Sequence, residues 1–217
     1  FQLAGMQARY IVIEGNIGSG KTSLATRLSA YYSSELLLEE FADNPFLAMF
    51  YEQPERWAFP VELSFLAARY HQMKKTFAKA VAANQLVVSD YLLNKSLLFA
   101  TNNLNKDELQ LYENFFGIVN EKMPQPDLIV YIDNTLEGLQ HNICKRGREF
   151  EKKITSDYLL NISNAYNVFL QKNKHLNRLI IDGTQVDFVS NQDHFQDIVK
   201  KIEYAIKNNN STLFNIF

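Results

Sequence analysis

Tyr10-Ile11-Val12-Ile13-Glu14-Gly15-Asn16-Ile17-Gly18-Ser19-Gly20-Lys21-Thr22 is the stretch that decides the fold. It opens as an apolar run, which suits a strand covered on both faces. Its second half fits G-x-x-x-x-G-K-[ST], and Ser23 to Tyr32 can continue it as a helix. Glycines let backbone N–H groups turn toward a phosphate without a Cβ in the way, and the helix start adds partial positive charge. Lys21 is placed to neutralise the β- and γ-phosphates, and the Thr22 hydroxyl to hold Mg²⁺. Gly15, Asn16, Ile17, Gly18, Ser19, Gly20, Lys21 and Thr22 are therefore the candidate cradle for a nucleoside triphosphate. The chain has only 8 glycines, and three of them fall within this cradle.

Outward from this stretch, short apolar runs alternate with longer helical patterns. Leu36–Leu38, Leu86–Asp90, Asp127–Asp133 and Arg178–Gly183 read as four more strands. Helices are expected over 57–83, with Pro60 in the first turn, and over 107–121, 155–172 and 194–207. The fold class is α/β, with a parallel sheet of about five strands flanked by helices. One domain is expected over 6–207, with a polar tail over 208–217. Residues 1–5 precede the first methionine, Met6, and read as remnants of expression or processing.

The whole chain agrees with a globular enzyme-sized domain. It has 217 residues, 47% hydrophobic and 21% charged, which excludes overall disorder. A formal charge of -2 argues against a broadly basic nucleic-acid binder. No run approaches the ~18 apolar residues of a membrane helix, and no secretory signal is visible. The single cysteine, Cys144, cannot build a disulfide framework, so a cytoplasmic setting is expected.

A phosphate cradle alone leaves switches, ATPases and small-molecule kinases open. Asn105-Lys106-Asp107-Glu108 comes near the N-K-x-D base-reading motif of GTPases but misses it. Three further stretches narrow the choice: Glu39-Glu40-Phe41-Ala42-Asp43-Asn44-Pro45, Tyr51-Glu52-Gln53-Pro54-Glu55-Arg56-Trp57, and Lys145-Arg146-Gly147-Arg148-Glu149-Phe150-Glu151. With the cradle, these resemble the deoxyribonucleoside kinase family, in order and spacing, from about Tyr10 to Phe188. The overall pattern looks most like its bacterial purine members.

The resemblance implies a P-loop kinase fold with a short Arg-rich lid, ATP and Mg²⁺ as donor and metal, and a homodimer. It implies ATP-dependent 5′-phosphorylation of a deoxyribonucleoside, with deoxyadenosine or deoxyguanosine preferred. Glu39 aligns with the general base for the 5′-hydroxyl. Lys21, Arg146 and Arg148 would stabilise the transferring phosphoryl group. Asp90, with Thr22, would help hold the metal. Tyr51 and Glu151 match a clamp on the sugar 3′-hydroxyl that leaves little room for a 2′-hydroxyl. Glu62 and Arg69, two helical turns apart, match the readers of the base edge, with Phe99 as a stacking wall. Asp187-Phe188 resembles the loop around the ATP adenine.

Several positions depart from the family pattern. An arginine would follow Asp90, where this chain has Tyr91; Lys95, one turn on, is the candidate replacement. Asn142 stands where the family often has another lid arginine. Glu62 replaces a usual glutamine. Ionised, it offers only acceptors, which leans toward guanine, or toward adenine through its amino group with help from Arg69; protonated, it mimics glutamine and reopens cytosine. A simple pairing of Glu62 with Arg69 along the helix is the plainer alternative. A nucleoside monophosphate kinase and a non-catalytic nucleotide-binding switch are the rival functions.

Overall fold

The structure is a computed structural model that describes residues 9–40 and 44–208. The expectations for residues 1–5, for Phe41, Ala42 and Asp43 in the second motif, and for 209–217 of the tail lie outside the described residues.

Five strands form one parallel sheet: β1 (Tyr10–Gly15), β2 (Glu35–Leu37), β3 (Val87–Ser89), β4 (Leu128–Asp133) and β5 (Arg178–Asp182). Their spatial order is β2-β3-β1-β4-β5. Parallel neighbours need long crossovers, and each is helical. α1 (Lys21–Tyr32) links β1 to β2; α2 (Leu47–Glu52) and α3 (Pro54–Ala83) link β2 to β3. α4 (Lys95–Asn103) and α5 (Lys106–Asn120) link β3 to β4. α6 (Leu136–Arg146), a 3-10 helix (Glu149–Lys153) and α7 (Ser156–Lys172) link β4 to β5, and α8 (Gln192–Asn208) follows.

The period of two along each strand sorts side chains into two cores. Ile11 and Ile13 face one side, packing with Leu24 and Leu28 of α1 and with Ile198 and Ile202 of α8. Tyr10 and Val12 face the other, with Met73 of α3 and Phe116 of α5. Tyr131 of β4 joins Ile162 and Tyr166 of α7 on that second side. Both faces of β1 and β4 are thus covered, which is why these strands read as continuous apolar runs.

The helices differ from expectation at informative places. α3 starts at Pro54, which occupies the first turn, so Pro60 lies inside the helix instead. There it removes the N–H that would have met the Arg56 carbonyl. α2, α4 and α6 have no counterpart among the expected helices. The charge run 145–153, expected to form a short Arg-rich lid, is the end of α6, a turn and the 3-10 helix. The turn is made by Gly147, at φ 70, a conformation that favours glycine. α5 begins with a capping box, Asn105 and Glu108 exchanging bonds with each other's backbone N–H. Among the described residues no helix is long and apolar enough to cross a membrane.

This topology aims three chain segments at one place. β1, β2 and β3 are adjacent and parallel, so the residues after their carboxyl ends gather along a single edge. Those residues are the glycine-rich loop, Glu39 and Asp90.

Candidate active site

The loop after β1 is built by its backbone. Gly18 holds φ 85, and a Cβ there would come within 2.6 Å of the Leu139 carbonyl oxygen of α6. Only glycine fits, for both reasons. Two asparagines brace the loop. Asn16 Nδ2 donates to Leu159 O at 2.8 Å and to Ser163 Oγ at 2.7 Å, tying it to α7. Asn142 Nδ2 donates to Gly18 O at 2.8 Å, tying it to α6. Lys21 Nζ rests on Asn16 O at 3.0 Å. Burial, then the nearby Lys95 charge, lowers the Lys21 pKa to about 8. Ser19 Oγ is buried with no hydrogen-bond partner among the described residues. A buried, unsatisfied donor beside a lysine is suited to a phosphate oxygen.

Beside the loop, Asp90 at the end of β3 works as a clamp. Its Oδ1 accepts from the Glu39 backbone N–H at 2.8 Å, and its Oδ2 from Thr22 Oγ1 at 2.5 Å. The carboxylate therefore locks the segment after β2 to the start of α1. The two hard oxygen groups, Thr22 and Asp90, are the kind of sparse donor set that suits Mg²⁺, which draws its other ligands from phosphates and water.

Glu39 lies between two cations. Arg69 of α3 donates to Oε1 through Nε, at 2.8 Å, and through Nη2. Lys95 Nζ donates to Oε2 at 2.5 Å. Burial alone would raise the Glu39 pKa, but Arg69 and Lys95 outweigh it and hold the carboxyl well below the usual range. Arg69 is itself steered by Ser96 Oγ, at 2.6 Å from Nη1. Tyr91 is fully buried and donates to Gln72 Oε1 at 3.1 Å, so it belongs to the core. Among the described residues, Lys95 supplies the second charge paired with Glu39.

A second carboxylate, Glu151 of the 3-10 helix, gathers the two lid arginines. Arg146 Nε and Nη2 reach it at 3.0 and 2.6 Å, and Arg148 Nη1 at 3.2 Å. Tyr51 of α2 lines the same cavity; burial first, then the Glu151 charge, raises its phenol pKa. Glu62 of α3 is also buried, but its partner is neutral: Asn103 Nδ2 donates to Oε1 at 2.7 Å. Glu62 does not pair with Arg69, whose guanidinium is engaged by Glu39 and Ser96. Phe99 lines the cavity too, with Lys95 Nζ 5.5 Å from its ring centre.

The site is thus two cavities with a common wall. One holds Glu39, Tyr51, Glu62 and Glu151; the other holds the glycine-rich loop with Asp187 and Phe188. Lys21, Thr22, Arg146 and Arg148 line both. Residues 11–207 of the sequence match the family model for deoxynucleoside kinases. The chain belongs to the deoxynucleoside kinase family. It is 36% identical over 203 residues to deoxyguanosine kinase of Bacillus subtilis, covering 92% of this chain and 98% of that one. It is 30% identical over 210 residues to deoxyguanosine kinase of Lactobacillus johnsonii, covering 91% and 92%. Among solved structures, deoxyadenosine kinase from M. mycoides with dCMP and dCDP bound superposes with a TM-score of 0.77. That match is 22% identical and covers 90% of this chain and 99% of the other, a likeness of fold.

As a deoxynucleoside kinase, this chain brings its expected site residues into one connected region. Lys95, the candidate replacement for the missing arginine, bonds Glu39. Asn142 braces the loop instead of supplying a charge. Asp187 caps its own turn, accepting from Val189 and Ser190 N–H at 3.0 and 2.9 Å, while Phe188 is buried; both line the second cavity.

Three supporting residues escaped the sequence reading. Glu14, the last side chain of β1, is buried and accepts from Leu92 N at 2.6 Å and from Tyr166 OH at 2.7 Å. Burial raises its pKa, while the charges of Lys95 and Lys21 pull the other way. A carboxylate inside an apolar strand run was the available signal for it. Ser96 and Asn103 lie on α4 and had none.

Proposed function

We propose that this kinase transfers the γ-phosphoryl group of ATP to the 5′-hydroxyl of a purine deoxyribonucleoside. The observation that carries the reading is the common wall. A triphosphate lying along the glycine-rich loop ends at Lys21, Thr22, Arg146 and Arg148, and those same residues border the cavity that contains Glu39. Donor and acceptor would meet there, which is the main contribution an enzyme makes to phosphoryl transfer.

In this reading Glu39 accepts the hydrogen bond of the 5′-hydroxyl, taking over part of the contact now made by Lys95. A carboxylate held so firmly ionised is a weak base, yet a loose transition state releases the hydroxyl proton late and asks little of it. Orientation is then its main contribution. Tyr51 and Glu151 hold the 3′-hydroxyl, and their packing disfavours a ribose 2′-hydroxyl. Because Glu151 also gathers Arg146 and Arg148, sugar binding and arginine placement share one carboxylate. Phe99 flanks the base. Thr22 and Asp90 would hold Mg²⁺, which when bound neutralises charge on the phosphates.

Apart from Lys21, which serves the donor loop, the cations that line the acceptor cavity are paired with carboxylates: Arg69 and Lys95 with Glu39, Arg146 and Arg148 with Glu151. That favours a nucleoside acceptor over a nucleoside monophosphate, which would bring a second phosphate to be neutralised. The same reading includes a homodimer in the cytoplasm. The apolar stripe Leu111, Phe115 and Ile118 on one face of α5, all exposed, is consistent with a partner helix. Parallel assays with the four deoxynucleosides and their monophosphates, each with ATP and Mg²⁺, test the function. Deoxyadenosine or deoxyguanosine should give the fastest turnover; turnover of monophosphates alone would overturn the reading.

A further inference from the structure

Two acids that line the acceptor cavity are bonded to neutral groups rather than to cations: Asp90, held by the Thr22 hydroxyl and the Glu39 backbone N–H, and the buried carboxylate of Glu62. Glu62 Oε1 accepts from Asn103 Nδ2 at 2.7 Å. The orientation of that amide is fixed from the far side, because Asn103 Oδ1 accepts from Asn102 Nδ2 at 2.9 Å. Asn103 is therefore a committed donor, and Glu62, which lines the cavity, keeps Oε2 and the second lone pair of Oε1 for a ligand there. Two carboxylate oxygens side by side match two adjacent donors, the N1–H and N2–H₂ of guanine. A protonated carboxyl, with its hydrogen on Oε2 because Asn103 occupies Oε1, instead presents one donor and one acceptor. That matches the N1 and N6–H₂ edge of adenine.

We propose that Glu62 and Asn103 form a charge-gated reader of the purine edge, in which the ionised pair selects deoxyguanosine and the protonated pair selects deoxyadenosine. This rests on the reading of the cavity as a deoxynucleoside site. Asn103 is then a specificity-determining residue alongside Glu62. Burial pushes the Glu62 pKa up to about 7, with the Asn103 hydrogen bond and the Arg69 charge opposing. The other facing charges are Glu39 from the segment after β2, which raises it, and Lys95 from α4, which lowers it. Tyr112 of α5 donates to the Glu62 backbone carbonyl at 3.4 Å, and Tyr158 of α7 lies 3.4 Å from Asn103 Nδ2. The phenols of Tyr51, Tyr112 and Tyr158 all have raised pKa values and stay neutral around pH 7. Across the cavity, Arg146 and Arg148 are paired with Glu151. Glu62 is thus the group near the base edge whose charge changes in this range.

The test is the ratio of kcat/KM for deoxyguanosine to that for deoxyadenosine, measured on the full chain with ATP and Mg²⁺ from pH 5.5 to 8.5. Effects of pH on the chemical step cancel in the ratio. It should rise with pH through about 7, by up to about tenfold per unit where the ionised fraction changes fully. E62Q should flatten the profile and lower the ratio at pH 8 by roughly tenfold or more. N103A, which removes the donor that favours the ionised form, should move the rise to higher pH. A flat wild-type ratio, or a slope retained in E62Q, overturns the inference while leaving the kinase reading intact. Failure to phosphorylate any deoxynucleoside removes both.

Discussion

Glu39, half-buried, and Glu62, buried, are two carboxylates in one cavity, and they are held in opposite ways. Glu39 has two cations, Arg69 and Lys95, and is kept ionised far into acid. Glu62 has an asparagine, and burial brings its pKa to about 7. The residue type is the same and burial penalises the charge of both; the partner decides the ionisation. In the proposed mechanism, the carboxylate that orients a hydroxyl in one fixed state is given charges. The carboxylate proposed to match an edge of donors and acceptors is given a neutral clamp and left able to change.

The sharpest break of the comparison is to make the two alike. Arg69→Met leaves Glu39 buried with Lys95 as its remaining cation. Removing one partner of a buried pair costs about 3–5 kcal/mol, so urea unfolding at pH 7 should show a loss of that order. A loss under 1 kcal/mol would mean that Glu39 is less dependent on its cations than its surroundings indicate.

The stability effect of pH should have opposite signs at the two sites. Glu39 sits below its ordinary value of 4.5, so its ion pairs stabilise fully above that pH and are lost as pH falls into acid. Glu62 sits above 4.5, at about 7, so it destabilises progressively as pH rises between those values. Glu62→Gln should therefore stabilise the protein without nucleoside by about 3 kcal/mol at pH 8, and by little at pH 4.5. Thermal melts at the two pH values check it. The smallest effect concerns the donor side, where the backbone does the holding. Asn142→Ala removes one bond from α6 to the loop, which should cost about 1 kcal/mol of stability and weaken ATP binding modestly, by calorimetry.

The contrast also explains what the sequence could show. The donor side is a local pattern, because Gly15 to Thr22 are contiguous and their chemistry is that of the backbone. Strand and helix positions followed from apolar runs, since β1 and β4 are buried on both faces. The acceptor side is assembled from residues far apart in the chain: Glu39 with Lys95, Glu62 with Asn103, Glu14 with Tyr166. Positions such as Glu39, Tyr51 and Arg146 could be named from motifs, but who holds them could not. α4, which carries Lys95, Ser96 and Asn103, is nine residues long with no side-chain cap to mark its start. Pro60 was misplaced because Pro54, six residues earlier, had already taken the first turn.

The central claim is that Glu39 orients and deprotonates a deoxynucleoside 5′-hydroxyl in front of a triphosphate on the glycine-rich loop. The direct measurement is single-turnover formation of deoxyguanosine 5′-monophosphate by wild-type protein and Glu39→Gln, with ATP affinity determined on both. The account predicts unchanged ATP affinity and a rate lower by about 10²–10⁴-fold in the variant. Equal rates in the two proteins would contradict it.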